Sequence, residues 1–116
     1  MKAKKALLCL HALAQESRLA VYRLLAEEGG EIGMCAGTIA ERLGIPPTTM
    51  SFHLSQLKHA NLVESHKEGR QVIYVANRRK ARKLANYLLG KNVEIDDDDD
   101  EIVKYEGAAA AAVTQG

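Results

Sequence analysis

Leu7, Leu10, Leu13 and Ala14 recur at helical spacing, which predicts a first helix over Ala6–Ala14 with one apolar stripe. Ser17 is placed to cap a second helix carrying Leu19, Tyr22, Leu24 and Leu25, which must stop before Gly29-Gly30. The stretch Ile32–Gly37 has no clear period, and its two glycines weaken any helix. Thr38-Ile39-Ala40-Glu41 has capping-box spacing, and Ile39, Ala40 and Leu43 share a face, so a short third helix is expected there. Gly44 supplies a tight turn, and Pro46-Pro47 fits the start of a fourth helix, where a missing N–H costs nothing. Along that helix Met50, Leu54 and Leu57 must face a core, leaving Thr49, Ser51, Phe52, His53, Gln56 and Lys58 around the rest. After Asn61 the period changes to two. Val63–Lys67 and Gln71–Val75 read as strands joined around Glu68-Gly69, one β-hairpin. From Arg78 the helical period returns in Ala81, Leu84, Ala85, Leu88 and Leu89, ending before Gly90.

The predicted class is therefore mainly α with a β-hairpin, in the order α-α-α-α-β-β-α. Residues 1–93 form one domain in this reading, and residues 94–116 a tail. With five consecutive aspartates (Asp96–Asp100) and the alanine run Ala108–Ala112, the tail is expected to be disordered.

Composition narrows the class further. One Phe, four Tyr and no Trp leave an aliphatic core, built from Leu, Ile, Val and Ala. No stretch approaches the roughly 20 apolar residues of a membrane span, and Met1–Leu13 lacks a secretory cleavage pattern, so a cytoplasmic location without membrane attachment is expected. In a reducing compartment the two cysteines read as free thiols, ligands or sensors rather than a structural disulfide. The net charge of +1 hides an asymmetry: residues 1–93 hold fifteen Lys or Arg against seven Glu, a net of +8, whereas 94–116 net −7. A body this basic attracts polyanions, and nucleic acid is the natural partner.

A short helix, a glycine turn, a second helix with a polar outer face and then a hairpin follow the winged helix-turn-helix plan. A helix fits the major groove of double-stranded DNA, and short polar side chains on it can reach base edges. Thr48, Thr49, Ser51 and Gln56 meet that need. Phe52 can touch thymine methyl groups, and Lys58 and the hydroxyls can hold phosphates. His53 is either a packing residue beside Leu54 or a DNA contact. Arg70, at the hairpin tip, suits a neighbouring phosphate or minor groove. The chain has no glycine-rich phosphate loop, metal-ligand cluster or nucleophile-plus-base pairing of an enzyme. A winged helix that binds protein rather than DNA is the alternative, against which the basic body argues.

At these residues the chain resembles the ArsR/SmtB family of transcriptional repressors. The resemblance rests on Ser17-Arg18-Leu19, Ile39-Ala40-Glu41-Arg42-Leu43-Gly44, Met50-Ser51-Phe52-His53-Leu54, Ala60-Asn61-Leu62-Val63 and Glu68-Gly69-Arg70, and covers roughly residues 6–89. It implies a homodimer packed through the first and last helices. The resemblance implies further that such a dimer binds a palindromic operator at its own promoter and is released by an inducer or oxidant. The apolar stripe of the last helix agrees, since it must be covered by the core or by another copy.

Metal-sensing members carry a Cys-x-Cys pair at the segment matching Cys35-Ala36-Gly37. Here only Cys35 stands there, and no His or acid lies between Arg78 and Leu89 for a last-helix zinc site. Cys9 either packs in the core or approaches Cys35. Together they would give a two-thiolate site for a soft metal or a metalloid such as As(III), with a further donor such as His11, or a reversible disulfide. His59 and His66 read as solvated, and Arg78, Arg79, Lys80, Arg82 and Lys83 as the wet face of the last helix.

Overall fold

A computed structural model describes residues 1–91. The segment from Glu94 on, with the expectation that it is disordered, lies outside the described residues. The elements are α1 (Ala3–Leu13), α2 (Glu16–Leu24), a single π-helical turn (Leu25–Gly29), β1 (Met34–Cys35), α3 (Ala36–Leu43), α4 (Pro47–His59), β2 (Val63–Glu68), β3 (Gln71–Ala76) and α5 (Arg78–Leu88). The expected class is observed, with one addition: the hairpin is joined by a third strand, in the order β1-β3-β2. No helix among the described residues is long and apolar enough to cross a membrane.

The chain divides into two compact units, residues 9–78 and the chain ends, residues 1–8 with those from 79 on. In the central unit α2, α3 and α4 pack on one another and the sheet lies against α4 and the π turn. Val21, Leu25, Ile39, Met50, Leu54, Leu57, Leu62 and Val63 fill the core, an aliphatic set as the composition requires. Burying each such side chain contributes about 1.5–3 kcal/mol.

Several boundaries differ from the expected ones for identifiable reasons. Ser17 does not cap α2. Gln15, in extended conformation, does so through its side-chain oxygen, which accepts from the Arg18 N–H at 2.9 Å. The capping box at Thr38 is also absent, because β1 pairs with β3 (Met34 opposite Tyr74, Cys35 opposite Ile73) and delivers the chain extended to Cys35. Helix α3 starts at the next residue, with Thr38 already inside its first turn. Only glycine permits this pairing. Gly33 has φ +82°, and a Cβ there would lie 2.5 Å from the Tyr74 carbonyl oxygen. Gly44, also left-handed, closes α3 with its N–H on the Ala40 and Glu41 carbonyls, and the chain turns into α4 at Pro46 and Pro47.

α1 begins at Ala3 and turns a different face inward than expected. Cys9 and Ala12 are buried, whereas Leu10 is exposed. Arg18 Nε donates to the Ala12 carbonyl at 2.7 Å and so closes the end of α1. In the unit of the chain ends, Ala6 is buried and Leu7 is 64% exposed. On α5 the expected apolar stripe is only half covered: Leu84 is buried, but Leu88 and the following Leu89 are 60% and 67% exposed. Lys80, assigned to the wet face, is buried, which its aliphatic stem permits.

Candidate nucleic-acid interface

Helix α4 presents two opposed faces. At about 100° per residue, Met50, His53, Leu54 and Leu57 share one arc and all four are buried. Thr48, Ser51, Phe52, Ser55 and His59 share the opposite arc, and all five are exposed. Thr49 lies on one flank, exposed, beside Gln56, which is half-buried; Lys58 lies on the other, exposed. The outward arc is thus short and hydroxyl-rich, with one aromatic ring, Phe52, 57% exposed. Its side chains suit close approach to base edges. Ser55, four residues from Ser51 and seven from Thr48, joins this exposed arc, and its spacing carries the signal.

His53 is corrected. It stands only about 40° from Leu57 around the helix, is 6% exposed, and its Nδ1 has no hydrogen-bond partner. Burial, and secondly the nearby Arg18 guanidinium, hold its pKa below the ordinary histidine value. It is therefore a neutral packing residue of the recognition helix and does not reach the surface where DNA would lie.

The wing is the β2–β3 hairpin, paired from Val63 opposite Ala76 to Glu68 opposite Gln71, so that Gly69 and Arg70 form a two-residue turn. Arg70 is exposed at the tip. Lys58, expected to hold phosphate, donates its Nζ to Ser65 Oγ on β2 at 2.7 Å. One ammonium has three donors, so a phosphate contact remains open to it.

The two thiols have separate environments. Cys9 is fully buried, its Sγ 3.7 Å from the Ala60 carbonyl oxygen, which places it in the core. Cys35 is half-buried at the N-terminus of α3, its Sγ 3.3 Å from Thr38 Oγ1. Hydrogen bonds from the Thr38 side chain and from the Thr38 N–H favour its thiolate and lower its pKa. A shallow groove of about 420 Å³, lined also by Gln71, Val72 and Tyr74, opens beside it. Neither cysteine is in a disulfide, and the described residues contain no cluster of three His, Cys, Asp or Glu able to hold a metal ion. His11 is exposed on α1.

A helix-turn-helix domain family matches residues 13–66, the stretch from the end of α1 into the wing. The chain is 40% identical over 68 residues to an uncharacterised HTH-type transcriptional regulator of Methanocaldococcus jannaschii, covering 59% of this chain and 73% of that protein. It is 32% identical over 78 residues to the transcriptional repressor SdpR of Bacillus subtilis, covering 67% and 82%. Among solved structures it resembles the homodimeric winged helix-turn-helix DNA-binding domain of a possible ArsR-family regulator from Mycobacterium bovis. That match has 30% identity and a TM-score of 0.62, and covers 75% of this chain and 78% of the other.

Proposed function

Because the chain belongs to the ArsR-type winged helix-turn-helix transcriptional regulators, we propose that it is a cytoplasmic repressor that binds a palindromic operator as a homodimer and leaves it when an inducer reaches the protein. The observation that carries this reading is the two-faced α4, with Thr48, Ser51, Phe52 and Ser55 outward and Met50, His53, Leu54 and Leu57 sealed. A helix held this rigidly from behind can enter a major groove without unfolding its own packing. The repressor role of SdpR and the homodimeric state of the Mycobacterium bovis domain support the same reading. The dimer is assigned to the first and last helices, where Leu7, Leu8, Leu88 and Leu89 stand exposed.

Inducer chemistry is assigned to Cys35. Of the two thiols it is the accessible one, and its lowered pKa favours the thiolate, the form that binds soft metals and As(III) and attacks oxidants. Cys9 keeps a packing role.

Fluorescence anisotropy with the promoter fragment upstream of the protein's own gene tests the reading. Expected are nanomolar binding at physiological salt and an advantage over scrambled DNA of about a thousandfold or more. Equal affinity for both would leave only non-specific attraction and overturn the repressor reading. Titrating the operator complex with arsenite, cadmium or a mild oxidant then tests the inducer, which should release the protein but not its Cys35→Ser variant.

A further inference from the structure

The end of the recognition helix is tied to the wing at three points, all within residues 57–77. Asn61 leaves α4 in the left-handed region, at φ +63°, and the Leu62 N–H returns to the Leu57 carbonyl at 3.0 Å, so the direction in which β2 departs is fixed. From the far end of β3, Asn77 donates twice to the same exit. Its backbone N–H reaches the Leu62 carbonyl at 2.8 Å, and its Nδ2 the Asn61 carbonyl at 2.9 Å. Further out, Lys58 Nζ donates to Ser65 Oγ at 2.7 Å, bridging the last turn of α4 to β2. Backbone connectivity alone would hold only one strand at the helix end. Asn77, through backbone and side chain, and the Lys58–Ser65 bond hold both.

The geometry gives these ties leverage. A six-residue strand spans roughly 20 Å, so angular play of about 10° at the base moves the tip by roughly 3 Å. That is as long as a charge-assisted hydrogen bond to phosphate. We propose that Asn77 and the Lys58–Ser65 pair are positioning residues for DNA binding: they lock the wing to the end of α4 so that Arg70 and the outward face of α4 meet one duplex in fixed register. This rests on the DNA-binding reading above, with Lys58 acting through Ser65 in addition to any phosphate it touches.

A double-mutant cycle against the wing tip separates positioning from mere stability. Asn77→Asp removes the Nδ2 donor while keeping the side chain's size and an acceptor oxygen. Ser65→Ala removes the second tie without changing charge. Each should weaken operator binding about three- to tenfold, the effect of one lost hydrogen bond. In an Arg70→Ala background Ser65→Ala should change it by less than about a factor of 1.5, and Asn77→Asp by at least about threefold less than it does with Arg70 present, because a tip without its contact has nothing left to position. Any effect of the negative charge that Asn77→Asp adds is common to both backgrounds and cancels. Equal losses with and without Arg70 would overturn the proposal and leave the DNA-binding reading intact. If Arg70→Ala itself binds the operator as the starting protein does, the wing contact fails and the positioning role with it. If operator and scrambled DNA bind alike, the function itself is wrong. Should Asn77→Asp lose its thermal transition, Ser65→Ala carries the same test alone.

Discussion

His53 shows how one buried ring can tie fold stability to pH. Its folded-state pKa is depressed, by burial first and Arg18 second, relative to the 6.5 of an unconstrained histidine. The unfolded chain therefore takes up a proton at a pH where the folded chain refuses it. The resulting contribution to stability is fully present above about pH 6.5 and is lost as pH falls through the lower folded-state value. Thermal unfolding from pH 8 to pH 5 should show a melting temperature that drops on acidification. Much of that drop should vanish in His53→Gln, which keeps a polar side chain of similar reach without the titration. An equally steep pH profile in the variant would assign the dependence elsewhere. A charged His53 on the DNA side would have pointed the opposite way, toward binding that strengthens in acid.

At the scale of elements, long periodic stretches were legible in the sequence and long-range pairings were not. The α4 start at Pro47 and its Met50-Leu54-Leu57 face followed directly from spacing, and the same spacing places His53 beside Leu57 and Ser55 beside Ser51. The hairpin was legible from its period of two. β1 was not, because two residues carry no period and its partner, β3, lies almost forty residues away. That one pairing also moved the start of α3 and cancelled the capping box. In α1 the leucine spacing does not mark the inner face: in the central unit Cys9 and Ala12 are buried while Leu10 is exposed. Gly33 is where the missed element can be tested. Alanine there must accept φ +82° and a Cβ 2.5 Å from the Tyr74 carbonyl oxygen, which makes the β1–β3 pairing untenable without a shift. Gly33→Ala should lower stability by about 2 kcal/mol or more, visible as a fall in the urea midpoint. An unchanged midpoint would mean that β1 contributes nothing to the fold.

For the whole molecule the decisive feature is what a single chain leaves uncovered. Leu7, Leu8, Leu88 and Leu89 are all exposed, and all belong to the unit made from the two chain ends, whereas the central unit carries the recognition helix and wing. Exposed leucines on α1 and α5 mark a surface that a partner can cover, and in the proposed homodimer a second copy would cover it. Leu88→Glu tests this with little cost to the lone chain, since the site is 60% exposed there. In a dimer the carboxylate would be buried against leucines at a cost of several kcal/mol, weakening association by about 100-fold or more. Sedimentation at micromolar concentration should find the parent protein dimeric and the variant monomeric. DNA supplies the second half of the argument. With an intact α4 and wing, the variant should bind an isolated half-site as the parent does, but gain almost nothing from a second half-site roughly 34 Å away. A variant that still dimerises would move the interface off α5; one that is monomeric yet keeps full operator affinity would detach DNA recognition from dimerisation altogether.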